Sequence, residues 1–330
     1  MAALPLHGYD GLPPLTLSAA WSAWELDALV LVGLLVSAAA YLWAANRLRR
    51  RGDAWPIGRD IAFVGGGLGT IALAVMWWPG VYDDTLFWAH MVQHMALSMV
   101  APIFLALGAP VTLVLRTLPA GGRRRLSGAL HSLPAKLVLN PLVGFALLFG
   151  TPFALYFTGL YELSLRNDLF HELLHVHFVV AGCIFFWPII GIDPVPGRLP
   201  HPLRLLLLFV TLPAHAWLGI SIMSANTVLA GDYYRQLARP WGPTLLGDQD
   251  IGGGLLWATG DLVGLLVLAA LFVQWSRADQ REAVRLDRRF DRAQRGGAED
   301  DSEWAAYNAH LASLADRTPN DHGEADRHAR

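Results

Sequence analysis

The sequence predicts an all-α, polytopic membrane protein: a bundle of seven transmembrane helices with the N-terminus outside and the C-terminus in the cytoplasm. Three observations predict it. Apolar residues make up 54% of the 330 residues and charged residues only 16%, a balance suited to lipid and not to a water-facing surface. Seven nearly charge-free stretches recur between ionised residues, each long enough to cross ~30 Å of hydrocarbon at about 1.5 Å per residue. Basic residues gather in alternate connections, as they do on the cytoplasmic side of a membrane.

The stretches run over 28–46, 61–82, 85–115, 137–161, 173–192, 205–231 and 251–276. Backbone groups in lipid must be satisfied within the segment, so each is expected to be helical, with Pro102 and Pro213 tolerated as kinks. The first ends against Arg47, Arg49, Arg50 and Arg51. The third is followed by Arg116, Arg123, Arg124, Arg125 and Lys136, and the fifth by Arg198 and Arg204. With Arg59, these connections hold twelve basic residues, whereas those after the second, fourth and sixth hold Arg166, Arg235 and Arg239. That asymmetry sets the orientation. The first 25 residues contain no Lys or Arg, so no cleaved leader is expected and the first apolar helix does the targeting.

The seventh stretch encloses Asp261 and gives way at Arg277 to a charged, Ala-rich tail. Residues 1–276 are thus expected to form the membrane domain. Residues 277–330 form a cytoplasmic tail, helical over 281–295 and again near 304–315, then disordered from 318. The net charge of −2 and the short basic clusters leave no stripe for nucleic acid. A lone Cys183 excludes a disulfide framework or a Cys-x-x-Cys site, so metal chemistry would fall to His, Met, Asp or Glu.

Several of the twelve histidines lie in the spans. His90 and His94 occupy the first turns of the third, His171 and His175 the outer half of the fifth, and His215 sits roughly 12 Å below the outer surface in the sixth. The topology therefore delivers five imidazoles to one outer layer. Spacing of four puts each pair on one helix face, and polar groups in lipid mark a functional interior. His177 points nearly opposite His175. Met91, Met95 and Met99 repeat every fourth residue, and Met223 lies two turns beyond His215. Thioether beside imidazole suits copper, Cu(I) above all, although such a Met series also serves as packing. Asp261 costs about 2.5–3.5 kcal/mol in mid-membrane unless it faces a cavity or partner. Asp248 and Asp250 stand at the mouth of the same region, where an aspartate also serves as a helix N-cap. A copper site drawn from His90, His94, His171, His175, His215, Met223, Asp248 and Asp261 is one expectation. His171-Glu172-Leu173-Leu174-His175 is also a literal His-Glu-x-x-His motif, which supports a zinc-dependent intramembrane protease. Imidazoles on two helices also leave a b-type haem protein as an alternative.

The third span carries His90-Met-Val-Gln-His94-Met, Ala101-Pro102 and Leu107-Gly108-Ala109-Pro110. His171 to His175, Phe186-Trp187-Pro188 and Asp193-Pro194 follow, then Pro213-Ala214-His215, Gly219-Ile220, Asp248-Gln249, Gly252-Gly253 and Trp257. The tail adds Asp287-Arg288-Arg289 and Ala305 to Ala309. In these stretches the chain resembles the caa3-type CtaG family of cytochrome c oxidase assembly proteins. The resemblance implies a non-enzymatic, multi-pass protein of the bacterial plasma membrane that helps to mature a haem-copper oxidase at copper insertion, with oxidase subunits as partners. The five histidines match the family's motifs; Met223, Asp248 and Asp261 match more weakly, and the family pattern does not require Glu172 as a base. The absence of a Cys-x-Cys pair distinguishes the chain from the single-span copper chaperone that shares the family's name.

Overall fold

The computed structural model describes residues 12–196, 199–295 and 301–315, and these are all helix, turn or loop, with no strand among the described residues. The first long helix, α1 (Ala28–Arg50), begins where Asp27 Oδ1 accepts from the amides of Leu29 at 2.7 Å and Val30 at 2.9 Å. It ends on Arg47, Arg49 and Arg50, so both termini suit the helix dipole. The next, α2 (Ile57–Val81), contains a π-helical stretch at Ile61–Leu68 and breaks at Trp77, whose backbone is extended. A five-residue connection leads into α3 (Phe87–Thr117), which widens to a π-helix at Ala96–Val100 and turns at Ala109, where φ is 50°.

The fourth stretch departs from the expected single helix. It forms α4 (Pro141–Phe157) and α5 (Leu160–Arg166), bent by 81°. Thr158 accounts for the break, because its hydroxyl donates to Ala154 O at 2.6 Å and accepts from Leu160 N at 3.3 Å. These local bonds compete with helix propagation, and Gly159 follows. Then come α6 (Asp168–Ile190) and α7 (His201–Met223). The sixth stretch, expected to reach 231, stops at Met223. Short α8 (Gly231–Leu237) and long α9 (Leu245–Arg295) follow, and α10 is Asp301–Ala315.

Six of these helices, α1, α2, α3, α6, α7 and α9, are long and apolar enough to cross a membrane, and the bent α4–α5 pair makes up to seven. The chain divides into two compact units, Met1–Leu271 and Phe272–Arg330. Described residues of the second unit belong to the end of α9 and to α10. The stretch from 318, expected to be disordered, lies outside the described residues.

Within the first unit α3 and α6 are the inner helices, more than half buried, whereas α1 is mostly exposed through Leu29, Val32, Leu35 and Val36. Apolar side chains on the outside are what a lipid solvent favours. The axis of the bundle is set by small residues. A Cβ added at Gly182 of α6 would lie 2.1 Å from Ser98 O and 2.5 Å from Pro102 Cγ of α3, so only glycine permits this approach. The two ends differ in chemistry. At one, Trp21 and Trp24 pack on Trp77, Trp78 packs on Trp88, and Tyr82 meets Trp241. At the other, Asp193 accepts from Val111 N at 3.1 Å, Thr112 N at 2.7 Å and Trp187 Nε1 at 2.9 Å. It thereby caps the helical turn Pro110–Thr117, and Arg49 pairs with Asp60 nearby in the chain.

Candidate metal centre

Asn167 starts α6 by accepting from Phe170 N at 3.0 Å, which puts His171 in the first turn and His175 in the second. The spacing of four then stacks the two imidazoles edge to face, with ring centroids 4.6 Å apart. The connection between α2 and α3 carries Asp83 to the same place, where the carboxylate is buried. Asp83 Oδ2 lies 3.0 Å from His171 Nε2 and 3.7 Å from His175 Nε2. From α3, Gln93 Oε1 stands 3.0 Å from His175 Nε2. Ligand atoms of Asp83, His171 and His175 all lie within 4.8 Å of one another. Two ligands each about 2.1 Å from a tetrahedral metal are about 3.4 Å apart, so small shifts of these side chains would enclose an ion.

Around these residues is a cleft of about 320 Å³ lined by six carboxylates, Glu25, Asp27, Asp83, Asp84, Asp168 and Glu172, with no Lys or Arg among the described lining residues. Such a lining attracts cations and concentrates them. Burial raises the Asp83 carboxyl, but the His171 and His175 imidazoles outweigh burial and hold it below the usual carboxylate range. Burial, joined by the Asp83 charge, pushes its neighbour Asp84 up to about 7.

Glu172 lines the cleft as well, with Oε2 3.5 Å from His175 Nδ1. A carboxylate beside Nδ1 favours a proton there, so that Nε2, which now meets Gln93 and Asp83, could offer its lone pair to a metal. Glu172 is thereby placed to orient His175.

Of the eight residues expected at the site, His171 and His175 are brought together with Asp83. His90 stands next to them, its ring 6.2 Å from that of His171, but its Nε2 is 3.1 Å from Tyr156 Oη. His94 packs edge-on against Phe178 at 4.2 Å. His215 donates from Nδ1 to Thr211 O at 3.0 Å, and its ring fills the space left by Gly260, where a Cβ would meet Cδ2 at 2.5 Å. Met223 is 39% exposed at the end of α7. Asp248 accepts from Trp88 N at 3.0 Å and from Arg239 Nη2 at 3.1 Å, tying the start of α9 to that of α3. Asp261 accepts from Trp257 Nε1 at 2.7 Å on its own helix. Met91, Met95 and Met99 belong to the apolar core, and His177 bonds Thr151 Oγ1 at 2.9 Å.

Asp83, Asp84 and Gln93 were not among the expected residues. The adjacent acids at the rim between two spans were a signal, as was an uncharged amide inside a span, since polar groups there are costly.

The family model described as cytochrome c oxidase caa3 assembly factor (Caa3_CtaG) matches residues 39–278, a stretch that contains every ligand atom described above. The chain belongs to this Caa3_CtaG family. Three uncharacterized proteins are similar to it along nearly its whole length. Those of Mycobacterium bovis and Mycobacterium tuberculosis are each 39% identical over 317 residues, and that of Mycobacterium leprae is 38% identical over the same length. The matches cover 93% of this chain but 47% of each relative, so this Caa3_CtaG chain spans about half the length of the curated relatives it matches. No solved structure matches it.

Proposed function

We propose that the chain assists assembly of a haem-copper cytochrome c oxidase by holding a copper ion at Asp83, His171 and His175 and passing it to an oxidase subunit. The observation that carries this is the convergence of one buried carboxylate and two imidazoles at the bottom of a cleft walled by carboxylates. Family membership supplies the oxidase. The copper is cargo, and no turnover is required of the protein.

The basic residues of the α1–α2 and α3–α4 connections favour the cytoplasm for the end opposite the cleft. The cleft then opens outside the bacterial plasma membrane, with the N-terminus on its side and the tail within. The tryptophans near the cleft suit the membrane–water interface. His90, the next imidazole inward, fits a part in transfer. His94, His215, Met223, Asp248 and Asp261 each have the other surroundings described above.

A zinc protease would need Glu172 to act on a metal-bound water, whereas its carboxylate contacts His175 Nδ1 at 3.5 Å and not the Nε2 that meets Asp83 and Gln93. A haem brings two carboxylates of its own, which the acidic lining would repel. The full chain purified in detergent should retain about one metal per protein after mild chelation, and His171→Ala with His175→Ala should retain none. Equal metal content in both, by elemental analysis, would sink the proposal.

A further inference from the structure

We infer that the cleft takes copper as Cu(II), not Cu(I), and that Gln93 supplies a fourth donor. The inference rests on the proposed copper-holding role and adds the oxidation state and a ligand to it. Four observations carry it. The gathered donors are two imidazole nitrogens and a carboxylate oxygen, a set that favours a borderline divalent ion, whereas Cu(I) favours thiolate and thioether. No methionine or cysteine is among the described residues lining the cleft, and the three α3 methionines are in the core. Six carboxylates line the space, and Coulomb attraction to them doubles when the ion carries two charges instead of one.

The fourth observation is Gln93 itself. It is 1% exposed, it lines the cleft, and its Nε2 has no hydrogen-bond partner among the described residues. Its amide N–H groups cannot bind a cation, so the donor it can offer an ion is the carbonyl oxygen. Its Oε1 already stands 3.0 Å from His175 Nε2, within the spacing that two ligands of one metal require. With an ion bound, that oxygen turns from the imidazole to the metal, giving two nitrogen and two oxygen donors. Among divalent first-row ions such a set binds copper most tightly.

The test uses the full chain in detergent, titrated with Cu(II) under air and with Cu(I) in anaerobic competition against a chromophoric Cu(I) chelator. Electron paramagnetic resonance reports Cu(II) ligation directly. The wild type should bind one Cu(II) with nitrogen hyperfine structure from two imidazoles and should lose to the chelator for Cu(I). Gln93→Met keeps the volume and replaces the oxygen by a thioether. It should weaken Cu(II) roughly tenfold and strengthen Cu(I), with an unchanged melting temperature showing that it folds. Tight Cu(I) binding lost in His171→Ala, with no Cu(II) spectrum, would overturn the oxidation state and leave the copper-holding role intact. Failure to bind either ion would overturn both. A Gln93→Met variant whose affinities match the wild type would overturn the assignment of Gln93.

Discussion

Asp83 Oδ2 and His171 Nε2 lie 3.0 Å apart across 88 residues of chain, one on the rim between α2 and α3 and the other in the first turn of α6. The pair joins a charge that needs a partner when buried to an imidazole that needs one when it is not bound to metal. Asp83→Asn removes the charge and keeps the shape. Metal affinity should fall by at least about 10- to 100-fold, because Asp83 is a ligand in the proposed site and loss of even a supporting carboxylate costs that much, as measured by competition with a calibrated chelator.

Asp84 gives the site a pH dependence of known sign. Its carboxyl is pushed up to about 7 by burial and then by the Asp83 charge. Between the unfolded value near 4 and the folded value near 7, the folded state holds a proton that the unfolded state has released. That contribution is fully present at low pH and is lost as pH rises through 7. Asp83, held low, acts oppositely: its contribution is present above about 4 and disappears only in strong acid. Asp84→Asn should therefore stabilise the protein at pH 8 by about 1–3 kcal/mol and have little effect at pH 4. Thermal melts at the two pH values check this, and an equal shift at both would contradict it.

Glu172→Gln tests the orienting contact with His175 Nδ1 at 3.5 Å. Metal affinity should drop roughly tenfold while part of the oxidase activity in cells survives. Abolished function with full metal content would instead indicate a general base and support a hydrolytic role.

His94→Ala and His175→Ala should behave differently although both side chains are buried. The His175 variant should lose the metal. The His94 variant removes an aromatic contact with Phe178, so it should keep the metal and lose about 1–2 kcal/mol of stability. Elemental analysis beside thermal melts separates the two effects, and equal metal loss in both would show that His94 belongs to the site.

Gly182→Ala places a methyl 2.1 Å from a backbone carbonyl of α3. Overpacking at a helix crossing costs about 1–3 kcal/mol. Because α3 carries Gln93 and α6 carries both site histidines, the same change should also weaken metal binding, as seen in parallel melts and titrations. Gly150→Ala has nothing within 4 Å of its new methyl and should leave both unchanged.

Much of the fold was legible because hydrocarbon imposes a one-dimensional rule: apolar runs of a given length become helices. The 81° break in the fourth stretch was not, since it turns on a hydroxyl of Thr158 bonding its own backbone. The end of α7 at Met223 was missed because uncharged residues continue to Gly231 in a loop, which Gln249 holds by donating to Ile222 O and accepting from Leu229 N. The His171/His175 pair was legible from spacing alone. Asp83 was not, because a rim aspartate reads as solvated until a partner 88 residues away is known to face it.

The sequence by itself determined that the chain is a set of apolar helices, that imidazoles repeat on single helix faces, and which family it belongs to, because these follow from local composition, period and order. Tertiary structure alone decided which faces meet. The expected layer of five imidazoles resolved into one pair joined by Asp83 and Gln93, with His94 and His215 packed on aromatic rings. The physical reason is that helical spacing fixes directions only within one helix, whereas the rotation of each helix against its neighbours is set by close contacts such as Gly182 on Ser98.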